Sequence, residues 1–340
     1  MTEEIGARRL SVAPGTPNDF HTLSEPFQRE LLVHCYRILG SLDDAEDALQ
    51  EALLRAWRRL DTLKEPASAR AWLYKIATNV SLDSLSRRKR RALPETLSPA
   101  ADPRQPLPAM VDEPIWLQPL PDEYLAAPAP GPETQAERQE SVSLAFLALL
   151  QQLPGRQRAA LLLCDVLGWP AQEAAETLSL SVAAVNSALQ RARAALKKSQ
   201  GAAAFPPRLD MQSPEVAGLL RRYVQAWESA DALALAALLR QDAVLTMPPL
   251  PSWYHGRDDI RWFFELQLFS GEGAGERFRL RQTRANGCPA LAVYQRDPSG
   301  VYRPASLQVL ALAGSEVARI DCFLVSGEDA FARFNLPPDL

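Results

Sequence analysis

The sequence predicts a multidomain chain: two all-α domains, the second a helix-turn-helix, joined by a proline-rich linker and followed by an α+β domain. Three observations carry this. Apolar residues recur at helical spacing over residues 20–92 and again over 138–200. Between them, over 93–137, proline stands at 94, 99, 103, 106, 108, 114, 119, 121, 128, 130 and 132, too densely for a helix to persist. After a short joint at 201–213, helical periods give way to strand-like stretches over 214–335.

The bulk composition is that of an ordinary globular protein, with 47% hydrophobic and 23% charged residues and a net charge of −4. Four cysteines, Cys35, Cys164, Cys288 and Cys322, stand far apart in apolar contexts and read as reduced core thiols. Three lone histidines make no metal constellation, so no metal or cofactor is expected. Residues 1–19 are polar, contain Pro and Gly, and read as a loose tail rather than a signal peptide. The apolar runs are shorter than the roughly 20 residues that span a bilayer, so the expectation is a cytoplasmic protein without membrane contact.

From Phe20 the period turns helical, with Leu31, Leu32, Cys35, Ile38 and Leu39 on one stripe ending near Gly40. Ser41 is placed to cap the next helix, which carries Asp43, Asp44, Glu46, Asp47 and Glu51 in its early turns. Those acids either complement the helix dipole on a solvated face or form a docking face for a basic partner. The stretch from Ala69 to Arg91 begins with two aromatics and a lysine and ends in five consecutive cations. From 70 to 91 seven basic residues stand against one acid. Such an excess suits phosphates, and the aromatics beside it suit unpaired bases; a solvated basic helix end is the plain alternative.

Inside the linker, Ile115 to Leu125 carries Trp116 and Tyr124 among leucines and prolines. Aromatics in a linker signal a peptide that docks on a domain surface, with Trp116, Leu117, Pro119 and Tyr124 as its contacts; chance aromatics in a disordered stretch are the other reading. Helical pattern resumes near Ala136, and Gly168-Trp169-Pro170 stops one helix and starts another. A short helix from Ala171 to Leu178 and a longer one from Val182 to about Lys198 make the helix-turn-helix pattern, for which a plain helical hairpin is the alternative. The second helix buries Val182, Val185, Leu189, Ala192 and Leu196. It turns outward Ala183, Asn186, Ser187, Gln190 and Arg191, side chains suited to base edges, with Arg193 beyond them.

The third part opens with helical stretches at Val216–Trp227 and Leu233–Leu239, a strand at Asp242–Met247, and a third helix at Asp259–Phe269. Strand-like runs follow at 276–285, 290–297, 303–312 and 316–325, with turns at Asn286-Gly287 and Pro298-Ser299-Gly300. Helices followed by antiparallel strands predict helices on one face of a curved sheet.

Taken together, residues 20–200 resemble the sigma factors of the sigma-70 class, specifically the extracytoplasmic-function group. SLDDAEDALQEALLRAWRRL resembles the helix that grips core RNA polymerase, which implies Asp44, Asp47, Gln50 and Glu51 as polymerase contacts. ARAWLYKIATNVSLDSLSRRKRR resembles the segment that melts and reads the −10 element. The resemblance implies Asn79 at a flipped −10 base with Trp72 in the same DNA-binding segment, and Lys75, Arg87, Arg88, Lys89, Arg90 and Arg91 on the backbone of melted DNA. LPGRQRAALLLCDVLGWPAQEAAETLSLSVAAVNSALQRARAALKK resembles the fourth region, implying −35 contacts from Ala183, Asn186, Ser187, Gln190, Arg191 and Arg193. Its NSAL departs from relatives that often carry a base there.

LTMPPLPSWYHGRDDIRWFF resembles the SnoaL-like branch of the NTF2-like cone fold, and WLQPLPDEYL resembles a linker motif of sigma factors that carry this extension. Such cones hold a pocket, here implying Tyr223, Trp253, His255, Asp258 and Asp321 around a small-molecule ligand. The expected partners are core RNA polymerase and promoter DNA, with the cone contacting the linker and sigma domains to set their activity. The rivals are a helix-turn-helix repressor acting without polymerase and an isomerase- or cyclase-like enzyme fused to a DNA-binding module.

Overall fold

Helical period is realised first as α1 (Pro17–Leu39), α2 (Leu42–Arg58) and α3 (Ala69–Arg87). The computed structural model describes residues 17–63, 65–111, 115–125, 141–200, 213–271, 273–327 and 329–340. Most of the tail expected at 1–19, the linker stretch 126–140 and most of the joint expected at 201–213 lie outside the described residues. Between α1 and α2, Gly40 takes φ +74°, where a side chain would be strained. A Cβ at Gly40 would also stand 2.6 Å from Leu117 Cδ2 and 2.9 Å from Gln151 Nε2, so linker and second domain both close on this corner. Ser41 caps α2 as expected, its Oγ accepting from the Asp44 amide at 3.2 Å. Leu31, Cys35, Ile38, Ala45, Ala52, Leu73 and Ala77 are buried in the three-helix core.

One buried group makes this core pH-sensitive. His34 is fully buried, its Nε2 2.8 Å from Thr78 Oγ1. Burial, then the charges of Arg37 and Arg70, push its pKa down to about 3. Below the ordinary value of 6.5 the unfolded chain binds a proton that the folded chain excludes, so stability falls as pH drops through that window. At pH 5 the loss should be about 2 kcal/mol. Urea midpoints measured between pH 7 and 5 should show it, and His34→Gln should flatten the slope.

The second helical domain comprises α4 (Leu144–Gln152), α5 (Gly155–Leu161), α6 (Ala171–Leu178) and α7 (Val182–Gln200). The helix that Gly168 stops begins at Gly155 and ends in a π-turn over Leu162–Val166. Ser179, at φ 52°, breaks α6, and Ser181 Oγ accepts from the Ala184 amide at 3.2 Å to start α7. Tyr74 on α3 meets Trp169, just before α6, edge to face at 5.2 Å, so this domain lies against the first.

The third domain adds α8 (Pro214–Glu228), α9 (Ala232–Ala236), α10 (Arg257–Phe263) and six strands. These are β1 (Leu239–Thr246), β2 (Trp253–His255), β3 (Phe278–Ala285), β4 (Cys288–Arg296), β5 (Tyr302–Ala313) and β6 (Glu316–Leu324). Their order is β2-β1-β6-β5-β4-β3. The expected antiparallel run is present in β3–β6, and β1 joins it parallel to β6, a pairing no hairpin constrains. The second helix stops at Ala236 rather than Leu239, because Leu239 already pairs with Val317 in the sheet.

Strand alternation sends Leu245, Leu291, Val293, Leu310 and Ile320 into a core under the helices, with Trp227 edge-on to Phe264, Phe269 and Phe278 at 5.2–5.3 Å. The opposite face presents Ala290, Ala292, Tyr294, Leu307, Val309 and Phe323. These merge with Leu39, Leu117, Leu120 and Val142 into one apolar cluster shared with the helical domains. The sheet is therefore buried on both faces. The C-terminal residues cross the same face: Phe331 packs on Tyr294 at 5.1 Å, and Leu340 exchanges backbone hydrogen bonds with Tyr302 at 3.0 and 3.2 Å.

Candidate functional site

Along α2, Asp47 and Gln50 face solvent, while half-buried Glu51 receives the Arg55 guanidinium at 2.6 Å. Asp44 corrects the sequence reading. It is buried, and Arg91 Nη2 reaches its Oδ2 at 2.5 Å while Arg88 contacts its other oxygen. The chain turns extended at Arg88 after α3 and returns over the start of α2, so Arg91 is buried too and also donates to the Trp116 carbonyl at 3.4 Å. Arg91 is thus spent on Asp44 and the linker rather than free for a DNA backbone. Arg87, Arg88, Lys89 and Arg90 are exposed. Leu54 and Trp57, which the sequence reading left unassigned, stand out of α2 on the same side as Asp47 and Gln50. Their signal was apolar side chains that fall off the buried stripe.

On α3, Lys75 is exposed, Asn79 is half-buried with its Nδ2 on the Lys75 carbonyl at 2.8 Å, and Trp72 Nε1 donates to Thr62 Oγ1 at 3.2 Å. On α7, Ala183, Asn186, Ser187, Gln190 and Arg191 share one exposed face. Arg193 departs from that set. Asp165 takes its guanidinium fork at 2.9 and 2.6 Å, tying α7 back to the π-turn.

The linker is held to its neighbours at several points among the described residues. Residues 98–111 lie on the third domain: Trp253 Nε1 donates to the Ser98 carbonyl at 2.8 Å, and the Ala101 and Val111 amides donate to Trp253 and Pro249 carbonyls at 2.9 and 3.0 Å. Glu95 reaches Arg319 at 2.6 Å, which also holds Asp321. Farther on, Trp116 and Leu117 are buried, and Pro119 and Tyr124 are half-buried. Gln118, not among the expected contacts, does most to fix the corner. Its Oε1 accepts from Ser41 Oγ at 2.8 Å and from the Asp43 amide at 3.2 Å, completing the cap of α2 from outside the helix. Its Nε2 donates to Asp43 Oδ2 at 2.6 Å, and its carbonyl accepts from Tyr36 Oη at 2.6 Å.

Asn286, at the β3–β4 turn, joins all parts. It is buried at φ 54° and followed by Gly287, the Asn-Gly pairing that tight hairpins favour. Its Nδ2 donates to Tyr36 Oη at 2.8 Å and to the Val142 carbonyl at 2.7 Å; its Oδ1 accepts from the Leu120 amide at 2.9 Å. One side chain thereby links α1, the linker, the second domain and the sheet.

The expected pocket does not assemble. Tyr223 points inward, donating to Gln308 Oε1 at 2.7 Å, and Gln308 pairs in register with Cys322. Asp321, one residue along β6, faces the other side, where it accepts from Thr246 Oγ1 at 2.8 Å and from Arg319. Trp253 is on edge strand β2 under the linker, and His255 and Asp258 are exposed. With Tyr223 on α8, Asp258 on α10 and Asp321 turned to the opposite face of the sheet, the five do not converge. Among the described residues, no cluster of His, Cys, Asp and Glu could hold a metal, and no helix is long and apolar enough to cross a membrane.

Residues 23–91 match the family profile Sigma-70 region 2 and residues 143–196 match Sigma-70, region 4, which gives the class: a sigma factor. The chain is 44% identical over 324 residues to the ECF RNA polymerase sigma factor SigG of Mycobacterium tuberculosis, covering 95% of this chain and 85% of that protein. It belongs to the extracytoplasmic-function RNA polymerase sigma factors. SigJ of the same organism is 30% identical over 229 residues, covering 65% of this chain and 62% of that protein. The crystal structure of SigJ superposes with a TM-score of 0.57 at 22% identity, covering 94% of this chain and 99% of that one, so the fold is shared through the C-terminal α+β domain.

Proposed function

We propose that this sigma factor docks core RNA polymerase through the outward face of α2, at Asp47, Gln50 and Glu51 with Leu54 and Trp57. On this reading α3 and the cations after it hold melted −10 DNA, and the Asn186–Arg191 face of α7 reads the −35 element. No bond is made or broken; binding energy offsets unpairing, at a few kcal/mol per flipped base. Replacing Arg87 and Arg90 by alanine should lower the salt slope of promoter binding by about 1.4, two single-strand phosphate contacts, without changing the preferred sequence. An unchanged slope would remove those residues from the interface.

The cone and linker hold the two DNA-reading domains in a closed arrangement that loosens for initiation. The observation that carries this is the convergence of α1, linker, second domain and sheet on Asn286. Trp116→Ala tests it, because Trp116 is packed where the linker crosses Arg91 and far in sequence from α7. In run-off transcription with core polymerase the variant should give several-fold more transcript at unaltered promoter sequence preference. Equal yields would leave the sigma function standing and discard the control.

A further inference from the structure

On α2, Asp43, Asp47, Gln50, Leu54 and Trp57 recur at alternating four- and three-residue steps and so form one stripe along the helix. Its ends are in different conditions. At the N-terminal end, Arg333 places Nη1 2.6 Å from Asp43 Oδ1 and Nη2 2.8 Å from Glu46 Oε2. Arg333 sits in the turn Ala332–Phe334, which Phe331 anchors on Tyr294, and Asn335 adds a bond to Glu123 at 2.6 Å. At the other end, Leu54 and Trp57 are 39% and 47% exposed, and between them and Arg333 the Asp47 side chain is 73% exposed. An acidic face that already takes a guanidinium, continuous with a bare leucine and tryptophan, fits a partner surface that is basic at one end and apolar at the other.

We propose that the C-terminal residues 329–340 form a tethered strap that competes with core polymerase for this stripe. The strap covers only the acidic end, so polymerase engages the closed chain first at Leu54 and Trp57 and displaces Arg333 second. This rests on the reading of α2 as the polymerase-docking helix. The strap's anchor is apolar and its competing contacts are half-exposed ion pairs, so it holds Arg333 in place without binding α2 tightly. Ion pairs of this kind are screened by salt, whereas the Leu54–Trp57 end is not.

Stopped-flow anisotropy of the labelled full-length chain mixed with core RNA polymerase tests the sequence of events. Two phases are expected: a fast one that rises with polymerase concentration and a slower one that does not. Arg333→Ala should speed the slow phase by about 3- to 10-fold and tighten overall binding to match, while Arg333→Lys should stay near the parent. Added salt should accelerate the slow phase in the parent and not in Arg333→Ala. Trp57→Ala should cut the fast phase by about 10-fold in both backgrounds. A slow phase unaltered by Arg333→Ala, or a fast phase unaltered by Trp57→Ala, overturns the proposal while leaving polymerase docking intact. Failure of every chain to bind core polymerase overturns the docking reading and the proposal with it.

Discussion

In an Asn286→Ala variant the two helical domains are expected to separate while each keeps its own core. Alanine removes both donors from the Asn286 amide, so Tyr36 Oη loses one partner and the Val142 carbonyl loses its contact; it also removes the acceptor of the Leu120 amide. Unmet groups in a buried site cost about 1–3 kcal/mol each. Alanine is also strained at the φ of 54° that asparagine tolerates. The sum, about 4 kcal/mol or more, falls on the junction, because the partners belong to α1, the linker and the start of the second domain. Energy transfer between dyes on α1 and α7 should drop, while far-ultraviolet circular dichroism at 20 °C stays near the parent. Asn286→Asp keeps the acceptor and should fall between the two. An alanine variant with unchanged transfer efficiency would show that the apolar cluster alone holds the arrangement.

The second large effect is expected at Arg158, on α5. This arginine is 1% exposed, and its guanidinium donates to Gln151 Oε1 at 2.8 Å and to the carbonyls of Gln151 and Leu153 at 3.1 and 3.2 Å. It also donates to the Ile38 carbonyl, which lies in the other helical domain. Burial, and then the charge of Arg90, bring its pKa down to about 9, still charged at neutral pH. Arg158→Met replaces the stem but leaves three carbonyls and an amide oxygen to be solvated in a closed core. The expected loss is about 3–5 kcal/mol, read as a fall in the urea midpoint of the second domain. Because only one acceptor is across the boundary, Arg158→Met should lower the stability of the second domain, whereas Asn286→Ala lowers the affinity between domains. If both variants shifted the same single transition equally, the chain would unfold as one unit.

Most elements were legible because their signals are local. The Ser41 cap, the stop at Gly40, the start of α7 after Ser181 and the Asn286-Gly287 turn each depend on a few neighbouring residues. What escaped depends on chain folded back from far away. Asp44 has the spacing of a solvated helix acid, and only the return of the chain at Arg88 buries it under Arg91. The linker peptide was noticed for Trp116 and Tyr124, yet Gln118 makes the cap contacts, and a glutamine between aromatics carries no such signal. Asn286 was visible as a turn residue, while its partners Leu120, Val142 and Tyr36 lie 144 to 250 positions away. The expected pocket is absent for a different reason: Tyr223 reaches down from α8 to Gln308 on one face of the sheet, while strand alternation turns Asp321 to the other, and a local motif carries neither fact.

The doubly covered sheet has a consequence for how this gene product can be divided. Cut free of the first 200 residues, the cone would present Ala290, Ala292, Leu307, Val309 and Phe323 to water as one continuous apolar patch. A fragment with that surface would self-associate, so the cone is expected to be recovered in soluble form only when another surface takes the place of the helical domains. Protease scanning of the intact chain and gel filtration of the fragments would show this as a C-terminal piece that runs as an aggregate. Fusion to the promoter-reading domains is then a condition of the cone's solubility, independent of any control it exerts.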